Sequence, residues 1–320
     1  MTGVQTCALP IWSETEGTYF YQERLTQLIS DKAKRAEFSS RFAEIFNEEN
    51  IHQRPSPYYI LLAADGDNMG LTIDAQDSLE KHRQFSQKLS EFAQEAMHII
   101  ESSAGAPIYV GGDDVLAYLP LHTALQCVSE LNSAFDEKMQ GISSPEGKNP
   151  TLSAGLVIAH HLTPLSDVLE TARRAEKQAK GIPGKNALVI VSSKRGGADR
   201  AASAKLSDLI ERMQTLINYA QQKPISGGTA YELQTLHQQL SDTRLPLDAF
   251  QREALRIIRR KREAGGGQEI PADTQQKFAE WFKDSDLSLA ELAQEMIIAG
   301  EFAGAYEMAH SPSGGKEKQP

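Results

Sequence analysis

Two short acidic stretches flanked by glycine carry the residue types for chemistry: DGDNMG at 65–70, and GGDD at 111–114 within YVGGDDVLAYLP. The apolar run YYILLAA leads into Asp65, and VLAYL follows Asp114, so the carboxylates stand at the ends of strands expected to be buried. Charges of one sign gathered there are costly unless a cation or a ligand lies between them. Residues two apart on a strand face the same way, so Asp65 and Asp67 can point into one space. Gly66 between them permits close approach, and its carbonyl is a further hard oxygen donor. Gly111 and Gly112 allow a positive φ in a hairpin and keep side chains out of a ligand's path. Oxygen donors with no neighbouring His or Cys suit Mg²⁺ or Mn²⁺ rather than zinc. Such an ion normally completes its shell with substrate phosphates, and two of them ~4 Å apart serve phosphoryl transfer. Read separately, DGDN is an exposed turn and GGDD a hairpin loop. Their conjunction on a first strand and a following hairpin favours a metal–nucleotide site. Neighbours on a regular strand face opposite ways, so Asp113 and Asp114 need not both reach one ion.

The elements that must hold these residues follow from hydrophobic spacing. QRPSP at 53–57 breaks any helix and launches a strand at about 58–64. Asp77 or Ser78 can cap a helix running to about Ser102. Strands at 107–111 and 115–119 flank the GGDD turn, and a helix at about 121–138 buries Cys127. After the loop SSPEGKNP come a strand at 151–160, a helix from Pro164 to Lys180, the turn GIPGKN, and a strand at 187–193. The order is strand, helix, hairpin, helix, strand, helix, strand, which is an α+β sheet. Beyond KRGGA the composition reads as helix without strands, with stripes such as Leu206, Leu209, Ile210, Met213 and Ile217. The expected organisation is a helical lead-in at 13–56, a palm-type domain at 57–195, an all-α domain at 203–309 and a disordered tail at 310–320.

Bulk properties narrow the class. The chain has 320 residues and a net charge of -10, which makes it a poor non-specific binder of nucleic acid. RNA contact must then be local or shared with partner subunits. No run of apolar residues is long enough to span a membrane. The two cysteines, Cys7 and Cys127, form no CxxC pair, so the expected setting is a reducing cytoplasm without a zinc site. The first dozen residues, MTGVQTCALPIW, resemble a translated sequencing-adaptor read-through, and the native chain is expected to extend upstream.

DGDNMG, GGDDVLAYLPL, LSAGLVIAHH and KGIPGKNALVI together resemble the second palm of the large subunit of type III-B (Cmr-type) CRISPR effector complexes. SGGTAYELQTL, LRIIRRKREAGG and ELAQEMIIAGEFA are similar to that family's C-terminal domain, so the resemblance covers about 57–309. It implies a ferredoxin-like, nucleotide-cyclase-type palm followed by a helical domain. It also implies a metal-dependent nucleotidyltransferase that polymerises ATP into cyclic oligoadenylates when the complex meets target RNA. By position, Asp65, Asp113 and Asp114 would be metal ligands and catalytic, with Asp67 an additional ligand or a support for one. Gly66, Gly111 and Gly112 would line the nucleotide, Lys180 and Lys185 would contact phosphate, and Ser153 would touch ribose or base. The other reading of the two lysines is a solvated helix end favoured by the dipole. Partners would be the other subunits of the ribonucleoprotein, with guide and target RNA reached mainly through the complex.

Two alternatives stand beside this reading. One is a non-catalytic scaffold subunit. The other is a diguanylate cyclase of the GGDEF type, whose first strand reads DxDxFKxxND; here Gly70 replaces the lysine and Ile73 the guanine-facing asparagine. A pocket lacking that amide leaves guanine's edge unpaired, which favours ATP. No His-Asp dipeptide occurs, so nuclease activity is not assigned to this chain. His160 and His161 end a strand and are expected to face opposite sides, away from any metal. The basic run at 256–262 reads as a solvated face before a subunit or guide-RNA contact. Trp281 and Phe282 read as core.

Overall fold

The computed structural model describes residue 25 and residues 29–48, 56–142, 149–194, 198–222, 228–240, 247–260, 271–283 and 287–310. The segment 1–12, the loop at 143–148, Lys261, Arg262 and the tail from 311 on lie outside the described residues. The chain divides into two units, Met1–Pro57 with Met308–Pro320, and Tyr58–Glu307. In the first, helix α1 (Lys32–Glu48) starts on Asp31, whose Oδ1 accepts from the N–H groups of Ala33 at 2.8 Å and Lys34 at 3.2 Å.

The second unit begins with β1 (Tyr58–Gly66), the short helix α2 (Met69–Asp74) and the long helix α3 (Leu79–Ser102). Ser78 caps α3 by accepting from the Lys81 N–H at 3.3 Å. A hairpin of β2 (Ala106–Gly111) and β3 (Asp114–Leu119) follows, then α4 (Leu121–Lys138), β4 (Leu152–His160), α5 (Leu165–Gly181) and β5 (Ala187–Ser193). The sheet order is β2-β3-β1-β4-β5-β6, with β6 spanning Arg200–Lys205. All neighbours are antiparallel except β4 and β5, which α5 joins as a crossover helix. Both of those strands are buried nearly end to end, as their continuous apolar sequence requires of strands covered on both faces.

Alternation along β1 splits the core. Ile60, Leu62 and Ala64 pack with α3 and α4, where Phe92 meets Phe135 edge-on at 4.9 Å and Cys127 is fully buried. Burial pushes the Cys127 thiol up to about 11, so it behaves as a small apolar side chain. Leu61 and Ala63 face the other way, onto Val157, Val189 and the small residues Ala172, Ala175 and Ala179 of α5.

The region after residue 198 opens with a strand, which corrects the expectation of helix alone. β6, RAASAK, has no apolar run to announce it; it forms because its backbone pairs with β5 from Ser192↔Arg200 to Ala187↔Lys205. The Ala201 N–H donates to the Gln294 side chain at 2.9 Å, so a helix covers that edge. α6 (Leu206–Gln222), α7 (Thr229–Leu240), α8 (Leu247–Arg260), α9 (Ala272–Trp281) and α10 (Leu289–His310) complete the elements. Leu209, Met213, Ile258, Phe278 and Leu292 join the core on the α4 side of the sheet. Within it Glu295, 1% exposed, takes two bonds from the Arg212 guanidinium at 2.9 and 2.8 Å. Phe282 is buried and Trp281 meets Phe278 edge-on, so both are core as expected. Within the basic run, Arg256 pairs with Glu253 and Arg259 donates to Gln275. No helix among the described residues is long and apolar enough to cross a membrane.

Candidate active site

β1 and β3 bring the two acidic motifs together. The register pairs Ala63 with Leu116 and Ala64 with Val115, which sets Asp65 across from Asp114 on the face that carries α5. The turn between β2 and β3 is closed by the Gly111↔Asp114 pair, with Gly112 at φ 76° in its first central position. That is the glycine-requiring place of a II′ hairpin, which explains the second glycine of GGDD. Asp113 sits in the turn rather than in the regular strand, so alternation does not turn it away. Its carbonyl accepts from the Gly66 N–H at 3.2 Å. A Cβ on Gly66 would lie 2.9 Å from Asp113 Cβ and 2.7 Å from Met69 Cγ, so only glycine admits the turn this close. Both GGDD carboxylates therefore stand beside Asp65.

Their electrostatics record the crowding. Burial first, then the charge of Asp65 and a carboxyl–carboxyl hydrogen bond with it, push Asp113 up, partly offset by a backbone hydrogen bond and by Lys180. Burial and the Asp65 charge likewise raise Asp114, against the opposing charges of Lys180 and Arg173.

Helix α5 supplies the counter-charge. Gly155 on β4 lets it lie low, since a Cβ there would stand 2.6 Å from the Glu176 backbone N. The alanines facing the sheet do the same from the helix side. Lys180 Nζ consequently reaches the Asp65 carboxylate and the Gly66 carbonyl, the latter at 3.1 Å, and lies 3.6 Å from Glu176 Oε1. Burial works against the Lys180 charge, but Asp65 and then Glu176 outweigh it and raise its pKa. Burial raises Glu176, with Lys180 opposing and Asp65 and Asp114 adding. Glu176 went unnoticed in the sequence, although its i, i+4 spacing to Lys180 was the available signal.

Asp67 sits behind the site in a buried clasp, one of its two expected places, whereas Ser153 has a different place from the one expected. Asp67 is fully buried, and its Oδ2 accepts from Thr151 Oγ1 at 2.7 Å, Ser153 Oγ at 2.8 Å and the Asn186 N–H at 3.0 Å. Ser153 is fully buried too and also accepts from the Ala187 N–H at 3.4 Å, so its hydroxyl serves this clasp and does not face a ribose or base. The reason is register: Ser153 pairs with Asp65 on the neighbouring strand, directly beneath the DGD turn. The clasp extends to Lys185, which lies in a run of left-handed residues, Gly184, Lys185 and Asn186, at φ 77°, 49° and 48°. Lys185 Nζ donates to Asn68 Oδ1 at 2.6 Å, and Lys205 of β6 donates to the Lys185 carbonyl. His160 and His161 do not face opposite sides; their rings stack at 4.5 Å, because His161 lies past the strand end where alternation stops.

These donors fit a hard cation. The Asp65 carboxylate and the Gly66 carbonyl already converge on one positive charge, that of Lys180. Asp67 Oδ1 is buried with no hydrogen-bond partner among the described residues, an anionic oxygen that a cation would satisfy. No three acidic, histidine or cysteine side chains among the described residues are grouped to hold an ion by themselves. Mg²⁺ held with a nucleotide supplements few carboxylates with carbonyl, water and phosphate oxygens. Asp65, Asp114, Glu176 and Lys180 line a cleft of about 750 Å³, with Ala63, Leu116 and Tyr109 as its apolar part. Its size falls within the ordinary range for small-molecule sites.

The family model for the second palm domain of Cas10/Cmr2 matches residues 58–189. The CRISPR system Cmr subunit Cmr2 of Pyrococcus furiosus is 32% identical over 170 residues, which make up 45% of this chain and 19% of that protein. The chain thus aligns with about a fifth of that relative's length. Among solved structures, the apo state of a type III-B Cmr-beta complex matches with a TM-score of 0.53 and 13% identity, over 83% of this chain and 40% of the other. Cmr-beta bound to cognate target RNA matches at a TM-score of 0.50 and 15% identity, over 77% and 38%. At such identities the structures share a fold. With the DGD strand, the GGDD hairpin and α5 assembled around one cleft, residues 58–189 are similar in sequence to the second palm domain of Cas10/Cmr2.

Proposed function

We propose that this chain supplies the metal-bearing half of a nucleotidyltransferase site that joins ATP into cyclic oligoadenylates. In this reading it is part of the large subunit of a cytoplasmic type III-B CRISPR effector and meets guide and target RNA mainly through the complex. The observation that carries it is the convergence of the Asp65 carboxylate and the Gly66 carbonyl on one cation, with Asp113 and Asp114 beside them. Asp65, Asp113 and Asp114 would hold Mg²⁺ or Mn²⁺, with the unpartnered oxygen of Asp67 behind them. When bound, the ion supplies neutralisation of phosphoryl oxygens and a more acidic attacking hydroxyl. Lys180 brings a charge that a triphosphate can take over from Asp65, and Lys185 stands at the DGDN turn for the same purpose. The Asp67 clasp fixes that turn, so its groups need little rearrangement when charge develops. Gly70 and Ile73, in place of a lysine and an amide, favour adenine over guanine.

A scaffold without catalysis is the second reading. It is favoured by Lys180 itself neutralising Asp65 and by the lack of a three-side-chain metal group among the described residues. The two separate in an assembled complex carrying Asp113→Ala and Asp114→Ala. Losing the clamp costs at least ~3–4 kcal/mol in the transition state, so oligoadenylate formation should fall a hundredfold or more with assembly intact. Undiminished product would establish the scaffold.

A further inference from the structure

The residues that match the palm family end at 189, yet the DGDN turn is also held from β6, which lies beyond them. β6 runs antiparallel to β5 with Lys205 paired to Ala187, so its last residue stands beside the GIPGKN turn. The Leu206 N–H donates to the Asn186 carbonyl at 2.9 Å and closes the turn from the same side. Lys205 Nζ donates to the Lys185 carbonyl, and it lies 3.0 Å from where a Cβ on Gly184 would stand. The ammonium therefore fills the space that a side chain at Gly184 would need. Lys205 is half-buried and has no acidic partner among the described residues, so its charge is directed at one backbone carbonyl.

The turn needs such a hold. Gly184, Lys185 and Asn186 are left-handed in succession. Glycine accepts that conformation freely and asparagine with little strain, but a lysine keeps it only where its surroundings fix it. Here the Ile182 carbonyl accepts from the Lys185 N–H at 2.8 Å, and Lys205 holds the Lys185 carbonyl. Pinned at both ends, this stretch of main chain aims two groups at the DGDN turn. The Asn186 N–H donates to Asp67 Oδ2 at 3.0 Å, and Lys185 Nζ donates to Asn68 Oδ1 at 2.6 Å. Asn68 is itself left-handed, at φ 61°, so two strained turns are joined through these bonds.

We infer that Lys205 is a positioning residue: by holding the Lys185 carbonyl it sets the backbone from which Lys185 presents its ammonium beside the DGDN turn. The task of Lys185 toward phosphate rests on the proposed function, whereas the hold on the turn does not. Lys205 acts through Lys185 and does not itself meet the nucleotide. With its main chain fixed, Lys185 can pass its flexible stem from Asn68 to a phosphate oxygen without the turn moving. Without Lys205 the carbonyl loses a charged donor, and the left-handed lysine loses one of its two supports. The turn then relaxes away from Asp67 and Asn68 together.

The test uses the full chain as wild type, Lys205→Met, Lys205→Arg, and Lys185→Met with and without Lys205→Met. Amide hydrogen exchange followed by NMR reads the turn without any ligand. The Asn186 N–H should exchange at least about tenfold faster in Lys205→Met and recover in Lys205→Arg, while the amide of buried Leu131 in α4 stays unchanged. Calorimetry with ATP and Mn²⁺ reads the nucleotide. Lys205→Met should bind about tenfold more weakly, the size of a lost charge-assisted hydrogen bond, and Lys205→Arg should stay within about threefold of wild type. In the Lys185→Met background, removing Lys205 should cost less than about twofold, because its effect runs through Lys185. Equal losses in the two backgrounds overturn the inference, and so does unchanged Asn186 exchange in Lys205→Met. Faster Asn186 exchange with unchanged nucleotide affinity also overturns it, since Lys205 would then serve the fold alone. If the wild-type chain fails to bind ATP with Mn²⁺, the proposed function falls, while the exchange arm still decides whether Lys205 holds the turn. Should Lys205→Met fail to fold, the uncharged polar variant Lys205→Gln carries the same comparisons with the same outcomes.

Discussion

Replacing Gly155 by alanine should lift α5 off the sheet. The added Cβ would stand 2.6 Å from the Glu176 backbone N, 2.8 Å from Ala175 Cβ and 2.9 Å from the Ala172 carbonyl oxygen. Optimal separations are about 3.5–4.0 Å, and two of these neighbours are helix backbone, so the helix must retreat by roughly 1 Å. Overpacking of this kind costs about 1–3 kcal/mol, offset by up to ~1 kcal/mol from the reduced freedom of the unfolded chain. A net loss of about 1–2 kcal/mol lowers Tm by roughly 2–8 °C in a unit of this size. The same retreat carries Glu176 and Lys180 away from Asp65, and a displacement of ~1 Å at a reacting centre can cost about a hundredfold in rate. Differential scanning calorimetry of Gly155→Ala against Gly70→Ala reads the first effect, since a Cβ on Gly70 meets nothing within 4 Å. Equal melting temperatures for the two variants would refute the close approach of α5.

Ser153→Ala removes a donor from a buried carboxylate and should cost about 1.5–3 kcal/mol by urea denaturation; unchanged stability with lost ATP affinity would return Ser153 to the ligand. Asp113 and Asp114 have raised pKa values, so the folded state holds protons there that the unfolded chain releases. Stability of the metal-free protein therefore falls as pH rises from the unfolded carboxylate value of about 4 through the raised ones. Asp113→Asn with Asp114→Asn should melt higher than wild type at pH 7.5, with the gap closing toward pH 4, and a pH-independent gap would contradict this. The isolated chain with ATP and Mn²⁺ should make little cyclic product, because the acids form one metal-bearing half and orientation of an acceptor hydroxyl needs a facing wall. Robust product separated by chromatography, or GTP outcompeting ATP, would count against the proposed reaction.

Long periodic elements were legible in the sequence. The helix over 121–138 and the strand over 187–193 coincide with α4 and β5, because one apolar stripe and one continuous apolar run leave no competing assignment. α2 has six residues, too few for a 3.6-residue period to show, and it starts from Asn68 in a left-handed conformation. β6 is written in alanine, arginine, serine and lysine, and only pairing with β5 makes it a strand. At the site, Asp65, Asp113 and Asp114 could be named from glycine-flanked carboxylates at strand ends. The partners of Asp67 could not, since Thr151 and Ser153 reach it through antiparallel register across more than eighty residues. Glu176 and Arg173 needed the height of α5 over β4, which depends on Gly155 and the alanines opposite it.

Asp65, the Gly66 carbonyl and the GGDD carboxylates should take a hard cation together with a triphosphate. Water-proton relaxation by Mn²⁺–ATP tests it directly, because relaxation is enhanced only when the ion tumbles with the protein. Enhancement is expected with the wild-type chain, and an affinity reduced roughly tenfold or more in Asp65→Asn and in Asp113→Asn with Asp114→Asn. Equal enhancement in wild type and both variants would contradict it.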